Sequence, residues 1–171
     1  MAILEIVKYP DPLLREICEP VGDNFESIKK LVDDLAETMY ANDGAGLAAI
    51  QVGITKQVFI IDAEIAGHEP TESPMAFIDP EILWLDDEVE TSEEGCLSFP
   101  GIYVPIERAY RCRVRARDVS GETFEAEGEG LFARAIQHEN DHLNGKLLAD
   151  YVGRIKRKMI ERKLAREAKG G

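Results

Sequence analysis

Residues 137–142 read Gln-His-Glu-Asn-Asp-His and place two of the chain's three histidines four positions apart. Positions i and i+4 of a helix lie on one face, so the imidazoles of His138 and His142 could reach a single metal ion. Glu139 would then lie beside the open side of that ion, where a carboxylate can exchange protons with water. This HExxH pattern predicts a hydrolytic metal site, whereas the alternative is a solvated helix face.

The sequence around the motif predicts a helix over 131–143. Apolar residues recur on one side of this segment, Gly128 and Gly130 precede it, and Asn144 and Gly145 follow it. The HExxH residues are therefore expected on a helix whose apolar stripe faces the core.

Apolar spacing and turn signals define the other elements. Asp23 and Glu26 could form a capping pair at the start of a first helix, and residues 119–121 give a hairpin turn signal. The predicted elements are a helix over 25–42, strands over 57–62, 82–91, 111–118 and 122–127, and a C-terminal helix over about 153–168. This order predicts an α+β fold, with antiparallel sheets packed around the central HExxH helix and a C-terminal helix.

Length and composition favour a single domain over residues 1–171. With 44% hydrophobic residues, 171 residues suffice for one core and are too few for two. The apolar runs are far shorter than the roughly 18 residues that span a bilayer, and the N-terminus lacks the pattern of a secretion signal. Cys18, Cys96 and Cys112 form an odd set without CxxC pairing, which is typical of a reducing compartment. We therefore expect a cytoplasmic protein without a membrane segment.

A basic C-terminal segment contrasts with the rest of an acidic chain. The net charge is -13, but residues 154–171 contain eight basic and two acidic residues, so that the remainder carries -19. Such a charge argues against nonspecific binding of nucleic acid by the whole body. The segment is either a docking element for a polyanion or a solvated helix that offsets the acidic body.

A tetrahedral metal site needs a third protein ligand besides the two histidines. The pattern HExxHxxGxxH would place a histidine at position 148, which is Leu148. Glu161 and Glu167 are acidic candidates, but salt pairing within the basic helix is the simpler explanation of both. Cys96, in the stretch Glu-Gly-Cys-Leu-Ser, is the better candidate because a thiolate could hold a divalent metal together with two imidazoles.

Residues 44–51 read Gly-Ala-Gly-Leu-Ala-Ala-Ile-Gln and form a third notable stretch. They lack the GK[ST] sequence and the preceding parallel strand of a nucleotide-binding loop. Their small side chains suit a second backbone lying alongside, as when a peptide adds to a sheet as a strand.

The three stretches together resemble the signature motifs of the peptide deformylases. GAGLAAIQ at 44–51, EGCLS at 94–98 and QHENDH at 137–142 match GxGLAAxQ, EGCLS and QHExDH in order and spacing. The likeness extends from residues 9–15 to residues 145–147 and so covers nearly the whole chain.

The resemblance implies an enzyme that removes the N-formyl group from the N-terminal methionine of newly made polypeptides and releases formate. Cys96, His138 and His142 would hold one ion per chain, with Fe2+ expected and Zn2+, Ni2+ or Co2+ as substitutes. Metal-bound water would attack the formyl carbon while Glu139 acts as general base and then as general acid.

The same resemblance assigns other residues to the reaction and to the substrate. The side-chain amide of Gln51 and the backbone N–H of Leu97 would stabilise the oxyanion. The remaining positions that the resemblance assigns to substrate binding are Gly46, Ala45, Leu131 and Ala135. Gly46 would pair with the substrate backbone, and Leu131 and Ala135 would line a pocket for methionine.

Glu94 and Arg108 match a pair that braces the metal loop in this family. Ala45, Tyr103 and Arg134 differ from the residues that the family commonly has, and their effect on substrate preference is left open. Because deformylases work beside the ribosome, the basic C-terminal helix could dock on ribosomal RNA.

Two other classes of protein share part of this pattern. A metallopeptidase would use the HExxH chemistry with a third ligand other than Cys96. A non-catalytic binding module stapled by a metal would keep the ligands but would have no need of Glu139.

Overall fold

The computed structural model describes residues 2–70 and 72–170 and has three α-helices and seven β-strands over that part of the chain. The elements are α1 (Ile28–Ala41), β1 (Gly46–Ala48), β2 (Val58–Ile61), β3 (Met75–Leu85), β4 (Val89–Cys96), β5 (Phe99–Ala109), β6 (Arg111–Arg117), β7 (Thr123–Glu129), α2 (Leu131–Leu143) and α3 (Arg154–Gly170). Short 3-10 helices lie at Pro12–Arg15, Ala49–Val52 and Leu148–Tyr151. The predicted α+β class is confirmed.

All pairings between these strands are antiparallel. Five strands form one sheet in the order β1-β2-β3-β6-β7, and β4 and β5 form a separate hairpin. The short strand β1 is therefore an edge of the larger sheet. It comes directly before the 3-10 helix that carries Gln51.

Strand β2 explains how the larger sheet is covered on both faces. Its four residues are all buried, and alternate side chains of a strand point to opposite faces. Phe59 and Ile61 pack in one apolar cluster with Ile136 of α2, whereas Val58 and Ile60 pack in another with residues of α1. The two helices thus lie on opposite faces of the sheet.

Helix α2 has the bounds that its sequence predicts. Ala133, Ile136 and Leu143 form its buried apolar stripe, and the following Gly145 has a φ of +72°, which glycine adopts without strain. The side-chain amide of Gln137 also bonds the backbone N–H and C=O of Ala109 at 3.1 and 2.9 Å. These two bonds tie the HExxH helix to the β4–β5 hairpin.

Helix α3 packs on the β4–β5 hairpin through Ile160 and Leu164, which are buried in a third cluster with Phe99 and Ile102. Cys18 and Cys112 are buried in the cluster below α2, in keeping with ordinary core cysteines, and burial raises the pKa of each thiol to about 11. None of the helices in the described ranges is long and apolar enough to cross a bilayer.

Two sequence predictions about element bounds were wrong. The first helix begins at Ile28 rather than at 25, and its N-cap residue, Ser27, makes no capping side-chain bond, so the predicted capping pair does not form. The predicted strand over 82–91 is instead the end of β3 and the start of β4, two strands of different sheets. A turn separates them, and within it the backbone N–H of Glu88 donates to the Asp86 carboxylate at 3.2 Å.

Candidate active site

Three potential metal donors converge between α2 and the β4–β5 hairpin. The ligand atoms of Cys96, His138 and His142 all lie within 4.8 Å of one another, and Cys96 Sγ is 3.4 Å from His142 Nε2. The helix supplies the two imidazoles on one face, as i and i+4 spacing requires, and the last residue of β4 supplies the thiol. The structure thus brings together the three residues that the sequence nominates as ligands.

A buried carboxylate orients the first histidine. Glu94 Oε1 lies 2.8 Å from His138 Nδ1, which leaves Nε2 of that ring free to face the other donors. Arg108 bonds both oxygens of Glu94, through Nε at 2.8 Å and Nη2 at 2.9 Å. Burial disfavours the ionised form of Glu94, but the bonds from Arg108 and His138 outweigh it and lower the pKa to about 2. Glu94 is therefore a fixed anion that holds the ring of His138.

Arg108 extends this bracing network to the far end of the HExxH motif. Its Nη1 donates to Asp141 Oδ2 at 2.7 Å and to the hydroxyl of Tyr151 at 2.9 Å, and that hydroxyl in turn donates to Asp141. These contacts give Asp141 of the motif a partner that its sequence context does not reveal. Only the 3-10 helix after α2 brings Tyr151 within reach.

Arg134 belongs to the same network. The sequence places it near the substrate pocket, but its guanidinium is buried and donates to Glu94 Oε2 at 2.6 Å. It also donates to the backbone carbonyls of Ile106 at 2.8 Å and Glu90 at 2.6 Å. Its cation thus shares the charge of Glu94 with Arg108, and the residue also borders the cleft, as the sequence predicts.

Glu139 points into the space beside the three donors. It is 4% exposed, its Oε2 lies 4.0 Å from His138 Nε2, and its buried Oε1 has no hydrogen-bond partner within the described residues. Burial is the main cause that raises its pKa to about 7. A buried carboxyl with a free oxygen next to converging donors is suited to carry a proton.

Gln51 reaches the same space from the other side. Its Nε2 donates to Ser98 Oγ at 3.0 Å and lies 3.4 Å from Cys96 Sγ, while its Oε1 accepts from the backbone N–H of Ala48 at 3.0 Å. Ser98 is fully buried and thereby fixes the amide. The EGCLS motif contains this serine, but the sequence does not assign it a role, since its partner lies 47 positions away.

Cys96 and His138 border a cleft of about 840 Å³. The four positions nominated for substrate binding all border it: Ala45, Gly46, Leu131 and Ala135. Leu97 and Gln51 border it as well. The N-terminal segment forms another wall through residues 3–6 and Lys8, which sequence reasoning missed because their apolar pattern is equally typical of a strand or a loop.

The fold and this site define a hydrolase built on an HExxH helix. The family model for polypeptide deformylases matches residues 3–158. The chain therefore belongs to the peptide deformylase family, whose enzymes act on N-formyl peptides.

Individual relatives are similar over the full length. The peptide deformylases of Alkalilimnicola ehrlichii and Cellvibrio japonicus are 49% and 47% identical over all 171 residues, which cover 94% and 99% of those proteins. The crystal structure of the enzyme from Legionella pneumophila has a TM-score of 0.90 and 41% identity, covering 98% of this chain and 96% of that one. The Ehrlichia chaffeensis enzyme in complex with actinonin also has a TM-score of 0.90, with 40% identity and 98% of each chain covered.

Proposed function

We propose that this protein is a metal-dependent deformylase that removes the N-formyl group from the N-terminal methionine of newly made polypeptides and releases formate. The observation that carries the proposal is that the Glu139 carboxylate and the Gln51 amide border one cleft with Cys96 and His138, and that His142 is close enough to complete a set of three possible metal donors. We further propose that residues 1–171 act as one catalytic domain in the cytoplasm.

Cys96, His138 and His142 would hold one divalent ion. A thiolate with two imidazoles suits Fe2+, which we expect as the physiological ion, and also Zn2+, Ni2+ or Co2+. The fit is supported by the convergence of the three donor atoms and by the Glu94 contact, which presents Nε2 of His138 to them. A divalent ion in this position would lower the pKa of water and polarise a formyl carbonyl.

Glu139 would move the proton. Its raised pKa, about 7, lets the carboxylate take a proton from the attacking water and return it to the leaving amine near neutral pH. Its Oε2, which lies 4.0 Å from His138 Nε2, is the oxygen nearer the donors and would carry the proton. The mechanism thus needs this residue even though it is not a ligand.

Gln51 and Leu97 would stabilise the negative charge that develops on the formyl oxygen. The contacts of Gln51 with Ser98 and Ala48 hold its amide in place before the substrate arrives. Loss of one such preorganised donor costs on the order of 3 kcal/mol in barrier. The backbone N–H of Leu97, next to the ligand Cys96, would be the second donor.

The substrate backbone would add to the free edge of the larger sheet at β1. Gly46 lies on that edge, and an edge strand offers unpaired backbone groups to an incoming peptide. Leu131, Ala135 and Ala45 would then border the methionine side chain. Because the Ehrlichia chaffeensis relative was solved with actinonin, we infer that this cleft accepts actinonin as well.

The basic helix α3 would bring the enzyme to its nascent substrates by contact with ribosomal RNA. Its cations, most of them exposed, support this proposal. Cosedimentation with ribosomes should then fall steeply as salt is raised, because phosphate contacts release counterions. An absence of cosedimentation at low salt would contradict the contact.

Formate release from formyl-Met-Ala-Ser, by protein purified without oxygen and characterised by elemental analysis, tests the proposed reaction. Glu139→Gln should abolish turnover and keep one metal per chain, whereas the exposed Glu125→Gln should change neither. Normal turnover by Glu139→Gln would reject the mechanism and favour a metal-stapled binding module. Intact metal content and turnover in Cys96→Ser would instead favour a metallopeptidase with another ligand.

A further inference from the structure

A second groove adjoins the catalytic cleft. It has a volume of about 780 Å³ and lies between the start of β5 and helix α3. Gly101, Ile102 and Tyr103 border both the groove and the cleft, so this short segment forms a ridge between them. Tyr103 is 64% exposed, so its ring is accessible to a chain that passes over the ridge from the cleft to the groove.

The groove is cationic and partly apolar. Its α3 wall presents Lys156, Lys163 and Arg166, all exposed, around the side chain of Met159, which is 62% exposed. Lys163 Nζ donates to the carbonyl of Gly101 at 3.2 Å and so joins the helix to the ridge. A chain lying in the groove would meet apolar surface and a majority of positive charges, with the Glu167 carboxylate beside Gly101 as an acidic neighbour.

The catalytic cleft has the opposite character. Exposed Glu5, Asp43 and Glu93 border it, with Lys8 as the exposed cation. The body outside the C-terminal segment carries -19 and the exposed charged residues at the cleft are mainly acidic, so the cleft itself does not attract an acidic peptide. The basic groove is the neighbouring surface that would attract it.

We propose that this groove binds the part of the formyl-peptide substrate that lies downstream of the cleft and that it favours acidic side chains there. The inference rests on the proposed function, since it needs a peptide whose formyl end lies at the three metal donors. An extended peptide advances about 3.3 Å per residue, so residues downstream of the reacting end can continue across the ridge into the groove. The groove thus sets a preference at positions that the reacting end of the substrate does not reach.

Within this groove the observations favour a peptide over RNA or a second copy of the chain, while α3 can still contact RNA through exposed cations outside the groove, such as Arg154 and Lys158. The groove continues the cleft directly across Tyr103, and its surface includes apolar side chains that a phosphate backbone does not need. A second copy of the chain would also present an acidic surface to the groove, but its binding would not explain why the groove is continuous with the cleft. A peptide held by its formyl end is already tethered beside the groove, which raises its effective concentration there.

Three substrates test the preference. Each begins with formyl-Met-Ala-Ser-Gly and continues with three Glu, three Gln or three Lys. At low salt, the Glu peptide should have a kcat/KM about fivefold above that of the Gln peptide, which is the effect of a few exposed ion pairs, and the Lys peptide should fall below both. Added salt should remove the difference.

Two charge-reversal variants separate the groove from the general field of the helix. Lys156→Glu with Arg166→Glu changes the groove, whereas Arg154→Glu with Lys158→Glu makes the same charge change at α3 residues that do not line it. The groove variant should lose or invert the preference for Glu, and the control variant should keep it. Lys163 stays in place in both because it contacts Gly101.

Binding of fluorescein-labelled Glu and Gln peptides, measured by anisotropy, provides a readout that needs no turnover. Tighter binding of the Glu peptide by the wild type than by the groove variant supports the inference even if no formate is released, which would reject only the proposed reaction. Equal binding and equal kcat/KM for the Glu and Gln peptides would overturn the inference while formyl-Met-Ala-Ser is still turned over. The inference is also overturned if the groove variant weakens binding of an RNA oligomer, or changes the sedimentation of the protein, without changing the peptide preference.

Discussion

The carboxylate of Glu139 lies where a side chain at Gly46 would have to be. A Cβ built on Gly46 would be 2.6 Å from Glu139 Oε2, closer than real Cβ contacts allow. Gly46 belongs to the edge strand β1 and Glu139 to α2, so the absence of a side chain is what lets the strand pass over the buried carboxyl. The strand proposed to bind substrate and the proposed proton carrier are therefore packed directly on each other.

Gly46→Ala should displace the Glu139 carboxylate and lower kcat/KM by about 100-fold, since a misplacement near 1 Å costs about that much. Metal content should stay near one per chain because none of the three proposed ligands is touched. Gly153→Ala is the matched control, as nothing lies within 4 Å of a Cβ at that position. Wild-type kinetics in Gly46→Ala would show that this packing does not position the carboxyl.

Glu94→Gln should weaken metal binding about 10- to 100-fold, because the first histidine loses the carboxylate that orients it. It also leaves the guanidinium groups of Arg108 and Arg134 without their shared anion, so the free energy of unfolding should fall by about 3 kcal/mol. Competition with a chelator measures the first effect and urea unfolding the second. Glu107→Gln, an exposed change on the same hairpin, should leave both unchanged, and equal metal affinity in the two variants would contradict the orienting role.

Ser98→Ala should lower kcat about tenfold with little change in KM, because the Gln51 amide loses the acceptor that holds it before the transition state forms. A double-mutant cycle distinguishes this from a general packing defect. In a Gln51→Ala background, Ser98→Ala should have almost no further effect on kcat. If the two changes are additive in free energy, the serine acts independently of the amide.

Asp150 predicts a pH dependence of stability. Burial opposes its ionisation, but hydrogen bonds from Arg15 and from the backbone N–H of Leu147 hold its pKa below the usual value. A carboxyl with a lowered folded pKa stabilises the fold above its unfolded pKa of about 3.9 and loses this contribution as pH falls through the folded value.

Asp150→Asn should therefore lower the free energy of unfolding by about 1 kcal/mol at pH 7, and the difference from wild type should shrink as the pH falls below about 4. Urea unfolding at several pH values measures it. The control is Asp87→Asn, a change at an exposed position, which should leave the free energy of unfolding unchanged at every pH tested. If the loss of unfolding free energy in Asp150→Asn is the same at every pH, the charge of the carboxylate is not what stabilises its contacts with Arg15 and Leu147.

Local signals predicted α2 well because its apolar stripe, the preceding glycines and Gly145 all agree. Strand β5 was missed although Phe99, Ile102, Val104 and Ile106 are buried in it, since Pro100 and Pro105 suggest a break. A hairpin of only two strands has a free outer edge on each, and an edge strand tolerates proline. The sequence could not show that β5 has no second neighbour.

The three candidate metal donors were predictable from motif spacing together with family resemblance, whereas the bracing network was predictable only in part. Glu94 and Arg108 follow from family resemblance, but Arg134 and Tyr151 join them through contacts between positions 10 to 44 residues apart along the chain. Such contacts depend on how α2 lies against the hairpin, which no local pattern encodes. Arg134 borders the pocket as expected, but its guanidinium is buried against the Glu94 carboxylate, which no local pattern indicated.

The division of the three donors between two apolar clusters has a mechanical consequence. The histidines sit on a helix whose core packs on the five-stranded sheet, whereas Cys96 packs with the cluster that joins the hairpin to α3. An ion bound by all three would cross-link the unit formed by the sheet and α2 to the unit formed by the hairpin and α3. Removal of the ion by a chelator would then let the amide hydrogens of the hairpin and α3 exchange faster, while the sheet below α2 stays protected. Unfolding would thus begin at the boundary between these two units, where the proposed active site also lies.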